Sequence, residues 1–141
     1  MRRVGFAVAL LVTAAGCGSS GMSDKEYRDK ADAICTSITS QRERLPPASN
    51  VEELRAVAGS TIAINTDALR KFKELDPPGD LKSPHSAIVT QLGETLKLQQ
   101  QALTTDPQST AMQQINVRAG KARAALLAAA QQAKLPACEQ L

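Results

Sequence analysis

The sequence predicts an all-α protein, an antiparallel up-down-up-down four-helix bundle preceded by a cleaved signal peptide. Three observations lead to this prediction. Four long segments carry apolar residues at helical spacing, and capping residues and prolines separate these segments. No segment shows the alternation of a β-strand or the turn signal of a β-hairpin. Long helices joined by short loops pack antiparallel to their sequence neighbours, which gives the up-down-up-down order.

The first two helices have clear boundaries in the sequence. Ser23, followed three residues later by Glu26, has the spacing of a capping box and starts the first helix. This helix is expected to run to about Leu45, where two prolines follow. The segment SNVEE (49–53) starts the second helix in the same way, and the turn DPPG (76–79) ends it.

Prolines mark the starts of the last two helices. Ser83-Pro84 and Asp106-Pro107 each place a capping residue before a proline. Proline is well tolerated at the first helical position, because its missing N–H has no partner there. We therefore expect the third helix over about 84–104 and the fourth over about 107–134.

Each predicted helix has one apolar face. The second helix has the widest, an arc of about 160° at 100° per residue, formed by Val51, Leu54, Val57, Ala58, Thr61, Ile62, Ile64, Asn65, Ala68, Leu69, Phe72 and Leu75. The faces of the first, third and fourth helices are formed by Tyr27, Ala31, Ile34, Cys35, Ile38 and Leu45; by Ile88, Val89, Leu92, Leu96 and Leu103; and by Ala111, Ile115, Ala119, Ala122, Leu126, Ala129 and Ala133.

The segment before the bundle has the zones of an export signal. Arg2 and Arg3 precede an uncharged run over 4–15, which is too short to span a membrane. Its end, Ala14-Ala15-Gly16-Cys17, resembles the lipobox of bacterial lipoproteins, although alanine stands at position 14 where leucine is usual. The resemblance implies cleavage before Cys17 and diacylation of that cysteine. The alternative is a plain secretory signal with an incidental cysteine.

This interpretation divides the chain into a signal peptide (1–16), a lipidated flexible tether (17–22) and the bundle (23–141). Two acyl chains hold a protein on a bilayer where one is marginal. The tether of glycine and serine reaches roughly 10–15 Å, so the bundle is expected just outside the cell membrane, on its extracytoplasmic side. Removing Arg2 and Arg3 from the 17 basic residues leaves 15 against 14 acidic residues. That balance and the few aromatic residues give no indication of nucleic-acid binding.

Two cysteines remain once Cys17 carries lipid. Cys35 and Cys138 lie at opposite ends of the bundle sequence, and export places them in an oxidising compartment. We interpret them as one disulfide, which closes a loop of about 100 residues and stabilises by about 4.7 kcal/mol on the chain-entropy estimate. Two thiols and one histidine are too few ligands for a closed tetrahedral zinc site.

Three segments of the mature chain resemble small exported lipoproteins of actinobacteria that have no characterised activity. These segments are YRDKADAIC (27–35), KELDPPGDL (73–81) and LPACEQL (135–141). The resemblance implies a helical bundle with a cysteine pair and implies no activity. Its motifs are structural rather than chemical.

The sequence contains no recognisable catalytic or cofactor site. His85, the single histidine, falls on the apolar face of the third helix, where it is interpreted as covering one end of the bundle. No glycine-rich phosphate loop, dinucleotide motif or di-iron motif is present, so no cofactor is expected and the protein is not predicted to be an enzyme. The carboxylates around DPPGD (76–80) are interpreted as a turn rather than a calcium site. The basic cluster RKFK (70–73) is interpreted as a solvated face with ion pairs from Asp67 to Lys71 and from Arg70 to Glu74.

Polar residues interrupt two of the apolar faces. Thr61 and Asn65 lie in the arc of the second helix, and Gln99 lies in that of the third. Antiparallel packing brings them within about two turns of each other. Such residues either specify which helices pair or line a pocket for a small ligand. The first interpretation is favoured, and the second stays open.

The fourth helix has a second, weaker apolar face away from its core face. Val117, Ala124, Ala128 and Leu135 fall within about 40° of each other, with Leu127 further round. For Leu135 the alternative is a position beyond the end of the helix. This face is the best candidate for contact with a partner or a second copy. The leading hypothesis is thus a lipid-anchored, non-catalytic helical module that contacts another envelope protein. The rival is a carrier of a small apolar or amphipathic ligand held between the helices, which requires a cavity on the order of 300 Å³ or more.

Overall fold

A computed structural model describes residues 21–141, so the expected signal peptide and Cys17 lie outside the described residues. The described chain is a four-helix bundle of α1 (Asp24–Glu43), α2 (Val51–Lys73), α3 (Lys82–Thr104) and α4 (Thr110–Ala133). Short 3-10 turns follow α2 (Gly79–Leu81) and α4 (Cys138–Gln140). The described residues contain no β-strand. None of their helices combines the length and hydropathy needed to cross a membrane.

Aromatic contacts at one end of the bundle show that the helices alternate in direction. The ring of Tyr27, near the start of α1, lies 5.6 Å from the ring of His85 at the start of α3. Phe72, near the end of α2, lies 6.5 Å from the same histidine ring. Arg28 Nε donates to the carbonyl of Ala133 at the end of α4, at 3.0 Å. We call this region the closed end, and we call the opposite region the open end, where α2 begins, α3 ends and α4 begins.

The caps predicted for the first two helices are confirmed. The Ser23 hydroxyl accepts a hydrogen bond from the backbone N–H of Glu26 at 3.2 Å. At α2, the Asn50 side chain accepts from the N–H of Glu53 at 2.9 Å, while the Glu53 carboxylate accepts from the N–H of Ser49 at 2.7 Å. This reciprocal pairing satisfies two donors that have no partner within the helix.

The predicted starts of the last two helices are wrong by a few residues. Helix α3 begins at Lys82, two residues before Pro84, because the 3-10 turn already aligns the chain and its Leu81 N–H bonds to Pro78. Pro84 is tolerated there, because N–H groups of the first turn have no helical acceptor. Helix α4 begins later than predicted, with Ser109 rather than Asp106 as its cap. The Asp106 carboxylate accepts instead from the N–H of Gln108 at 2.9 Å and forms a turn.

The chain leaves α4 through a left-handed residue and returns to α1. Lys134 has φ 58°, and the N–H of Leu135 bonds to the carbonyl of Ala130 at 2.9 Å, the pattern of a Schellman cap. This turn directs Leu135 into the core, where it is fully buried. Leu135 therefore takes the alternative position beyond the helix end and does not belong to the outer face of α4.

The predicted disulfide is confirmed. Cys35 and Cys138 are bonded, with a Cα–Cα separation of 5.0 Å and 103 residues of sequence separation. The N–H of Ala137 also donates to the Asp32 carboxylate at 3.1 Å. Burial raises the pKa of the Asp32 carboxyl, against the lowering effect of this hydrogen bond. The C-terminal tail, rather than α4 alone, thus closes the bundle against α1.

The main core lies toward the closed end. It includes Tyr27, Phe72, Ile88, Leu92 and Leu126 together with the disulfide, and it is completed by small side chains of α4. In α2 the buried residues are Asn65, Ala68 and Phe72, all in its C-terminal half. The apolar face of the N-terminal half of α2 therefore has no tight partner.

We expect the double variant Cys35→Ser, Cys138→Ser to lose about 2–5 kcal/mol of unfolding free energy, the usual cost of removing a native disulfide from a small exported domain. Urea unfolding followed by circular dichroism measures this loss. Wild-type protein treated with reductant is the matched control and should show a similar decrease. An unchanged unfolding midpoint in both samples would contradict a stabilising role for the bridge.

Candidate functional site

A groove opens between the helices at the open end of the bundle. It has a volume of about 570 Å³. One wall is the N-terminal half of α2, and the other is formed by the end of α3, the loop after it and the start of α4. The residues that line it are Val51, Leu54, Arg55, Ala58, Thr61, Ile62, Gln99, Ala102, Leu103, Thr105, Pro107 and Met112. We call this feature the interhelical groove.

The groove exists because the apolar face of α2 continues beyond the packed core. Val51 is 64% exposed and Leu54 is 59% exposed, although both belong to the face that the sequence assigns to the core. Leu103, on the opposite wall, is 42% exposed. Scattered single apolar residues are normal on protein surfaces, whereas several that border one concave surface are typical of a binding site.

A row of three polar side chains crosses the bundle at the inner end of the groove. Arg42 Nη2 donates to Asn65 Oδ1 at 2.8 Å, and Asn65 Nδ2 donates to Gln99 Oε1, also at 2.8 Å. Asn65 is only 2% exposed, so its amide depends on these two partners. We call Arg42, Asn65 and Gln99 the polar layer. It connects α1, α2 and α3.

The sequence prediction identifies two members of this layer and misses the third. Asn65 and Gln99 meet as expected, whereas the Thr61 hydroxyl bonds within its own helix, to the carbonyl of Val57 at 2.9 Å. Thr61 and Gln99 nevertheless both line the groove. The sequence prediction does not include Arg42, because a charged residue near a helix end is usually exposed to solvent. Its position four residues after the buried Ile38 is the signal that places it on the inner face of α1.

Arg42 is held in an unusual environment for a guanidinium group. Its Nε–H is buried and has no hydrogen-bond partner in the described chain. Burial lowers the pKa of Arg42, and the positive charge of Arg123 lowers it further. Among the described residues, no carboxylate lies within ion-pair distance of Arg42. The positive charge of Arg42, at the inner end of the groove, therefore has no ion-pair partner among the described residues.

His85 lies at the other end of the molecule, away from the groove. The Tyr27 hydroxyl and His85 Nδ1 are 3.1 Å apart and share a hydrogen bond. Burial raises the pKa of Tyr27 to about 12 and lowers the pKa of His85. The histidine is therefore neutral at pH 7 and packs between Tyr27 and Phe72, as expected for a side chain that covers the end of the bundle.

The charged segments around the end of α2 form ion pairs and a turn. Lys71 bonds to Asp67 at 2.7 Å and Arg70 bonds to Glu74 at 2.6 Å, which confirms both predicted ion pairs. Their side chains are substantially exposed, so these pairs contribute little to stability. The segment DPPGD (76–80) leads into the 3-10 turn. Residues 21–141 contain no group of three or more histidine, cysteine or acidic side chains placed to hold a metal ion.

The predicted partner face on α4 is partly present. Val117 is 60% exposed, and Ala124, Ala128 and Leu127 are also exposed. Beside Val117 lies a shallow depression of about 410 Å³ whose other lining residues are polar: Thr110, Gln113, Gln114 and Arg118. Arg118 pairs with Glu94 of α3. This surface exposes the large apolar side chains of Val117 and Leu127, fewer than the three that border the interhelical groove.

Comparisons with known proteins give no relative from which a function can be transferred. No protein-family model matches the sequence, and neither the curated proteins nor the solved structures include a significant match. The geometry of the described residues therefore carries the functional argument.

We expect acidification from pH 7 to about pH 5 to destabilise the protein through His85. The folded pKa lies below the ordinary value of about 6.5, so the unfolded chain binds a proton first and stability falls as the pH drops through that value. Melting temperatures measured across this range, above the titration of most carboxyl groups, report the effect. His85→Gln should flatten the profile. An equally steep profile in that variant would assign the pH dependence to another group.

Proposed function

We propose that this protein is a lipid-anchored, extracytoplasmic, non-catalytic binding protein that holds a small amphipathic ligand in the interhelical groove. The observation that carries the proposal is the uncovered apolar face of α2. Val51, Leu54, Ala58 and Ile62 repeat at helical spacing and face a groove instead of a packed core. Solvent exposure of these side chains is unfavourable in the free protein, and an apolar ligand would remove it.

The size and polarity of the groove fit a small molecule. Its volume of about 570 Å³ falls within the usual range of ligand pockets, roughly 300–1,000 Å³. Its walls are mainly apolar, and two of its polar residues, Thr61 and Gln99, lie at the inner end. Such a combination orients an amphipathic molecule with its polar end inward. A module acting only through its outer surface has no need of an opening between its helices.

The first described residues and the groove lie at opposite ends of the bundle. The N–H of Met22 bonds to the carbonyl of Asp76 at 3.2 Å, so the chain enters at the closed end. Helix α2 has 23 residues and a length of about 35 Å, and the groove lies along its far half. If Cys17 carries the lipid, the closed end faces the membrane and the groove opens away from it. A ligand then exchanges with the surrounding aqueous space or with another protein.

A second candidate function is contact with another envelope protein through α4. Exposed Val117, together with Ala124 and Ala128, favours this alternative. Stable interfaces bury about 800 Å² on each partner and centre on large anchor residues. A face made mostly of alanine supplies fewer such anchors than the groove does, so we place this function second.

We expect Ala58→Phe to weaken the binding of the neutral fluorescent probe N-phenylnaphthylamine by at least about tenfold, because the added ring occupies the groove. Fluorescence titration measures the affinity. Ala63→Phe is the matched control: Ala63 is exposed on the same helix outside the groove. Its affinity should stay within about twofold of the wild type. Absence of probe binding to the wild type, or equal affinity in both variants, would remove the groove as the ligand site.

We expect Cys17→Ser to move the protein from the membrane fraction to the soluble fraction when it is expressed in a bacterium with lipoprotein processing. Loss of both acyl chains removes the anchor. Intact-mass spectrometry of the wild type should find the mass of a diacylglyceryl group on Cys17. The double variant Cys35→Ser, Cys138→Ser is the control and should remain in the membrane fraction. An unmodified Cys17 in the wild type would rule out lipid anchoring.

A further inference from the structure

The polar layer fixes which hydrogen-bonding group Gln99 presents to the groove. A guanidinium group only donates hydrogen bonds, so the Asn65 atom that contacts Arg42 must be the carbonyl oxygen Oδ1. Asn65 Nδ2 must then donate to Gln99 Oε1. The amide nitrogen Nε2 of Gln99 takes no part in these two hydrogen bonds. It makes no hydrogen bond within the described chain, and Gln99 lines the groove. The inner end of the groove therefore offers an N–H donor.

The side-chain charge within the groove lining has the same preference. Arg55 is the charged residue among those that line it, and no carboxylate belongs to the lining. Among the described residues Arg55 has no ion-pair partner, and neither does Arg42 behind the polar layer. The buried Arg42 Nε–H also lacks an acceptor within residues 21–141. Both guanidinium groups favour negative charge near them, Arg42 from its half-buried position and Arg55 from the exposed wall of the groove.

We infer that the ligand of the groove is a single-chain amphiphile whose polar end is an anionic oxygen group, a carboxylate or a phosphate monoester. The inference rests on the proposed function and adds the chemical class of the ligand. The apolar chain packs between Leu54, Ile62 and Leu103, and the anionic group accepts from the amide N–H of Gln99. Arg42 holds that amide in its donor orientation through Asn65, and Arg55 attracts the anion at the mouth. In this arrangement Gln99 and Arg55 are binding residues, and Arg42 is a positioning residue.

Four dodecyl amphiphiles with the same chain test the inference by competition against N-phenylnaphthylamine, each below its micelle concentration. We expect dodecanoate or dodecyl phosphate to bind at least about tenfold more tightly than dodecanol, and dodecylammonium to bind most weakly. Hydrogen bonds to an ionised acceptor are about twice as strong as neutral ones. The tighter of the two anions identifies the head group.

Variants test which residues set this preference. Gln99→Met removes the donor at similar volume and should reduce the ratio of dodecanoate to dodecanol affinity by at least about fivefold. Arg55→Gln should reduce the same ratio by about threefold and weaken its dependence on salt. Arg44→Gln is the matched control, because Arg44 is exposed at the end of α1 and lies outside the groove lining. It should leave the ratio unchanged.

A further variant separates positioning from folding. Arg42→Met should lower the ratio of dodecanoate to dodecanol affinity while binding of N-phenylnaphthylamine stays within about twofold, which requires a folded groove. If Arg42→Met fails to bind the neutral probe, its groove is not folded, and the head-group inference is then tested by the variants at Gln99 and Arg55 alone. Equal affinity of the wild type for all four amphiphiles would overturn the head-group inference and leave the groove as a binding site. If the wild type bound neither the amphiphiles nor the neutral probe, the proposed function would fail with it.

Discussion

The polar layer divides the bundle into two halves with different properties. A buried amide is costly unless it is hydrogen-bonded, and Arg42 and Gln99 supply the two partners of the Asn65 amide. Toward the closed end, the helices pack around aromatic and aliphatic side chains with almost no exposure. Toward the open end, α2 and the pair formed by α3 and α4 no longer meet over the full width of the α2 face. The groove occupies that space.

The closed end supplies the rigidity that an open groove needs. The Cys35–Cys138 bond and the contacts of Arg28 and Asp32 with the tail tie the C-terminus to α1. The Tyr27–His85 hydrogen bond joins the starts of α1 and α3. These covalent and polar connections join parts of the chain that are not neighbours in the sequence: α1 with the end of α4 and the C-terminal tail, and α1 with α3. The apolar residues at the open end can therefore remain uncovered without loss of the helical arrangement, because the main core cluster lies in the other half.

Much of the architecture follows from the sequence because it depends on local interactions. The number of helices, their order, and the caps at Ser23 and Asn50 follow from periodicity and capping, which act within a few residues. The start of α4 was predicted incorrectly because Asp106 and Ser109 are both suitable caps, and the turn between them decides which one is used. The cysteine pair followed from a count of cysteines in a chain predicted to be exported.

Local sequence patterns are enough to predict a four-helix bundle, its disulfide pair and two of the polar residues on its inner faces. How much of each inner face is covered depends on the tertiary packing. Val51 and Leu54 have the same periodicity as Ala68 and Phe72, yet the first two are exposed and the last two are buried. Likewise, the sequence suggests that Arg42 is a surface charge, and only its hydrogen bond to Asn65 shows that it belongs to the polar layer. Helical periodicity reports which residues share a face, whereas burial depends on the spacing between helices, and that spacing results from long-range packing.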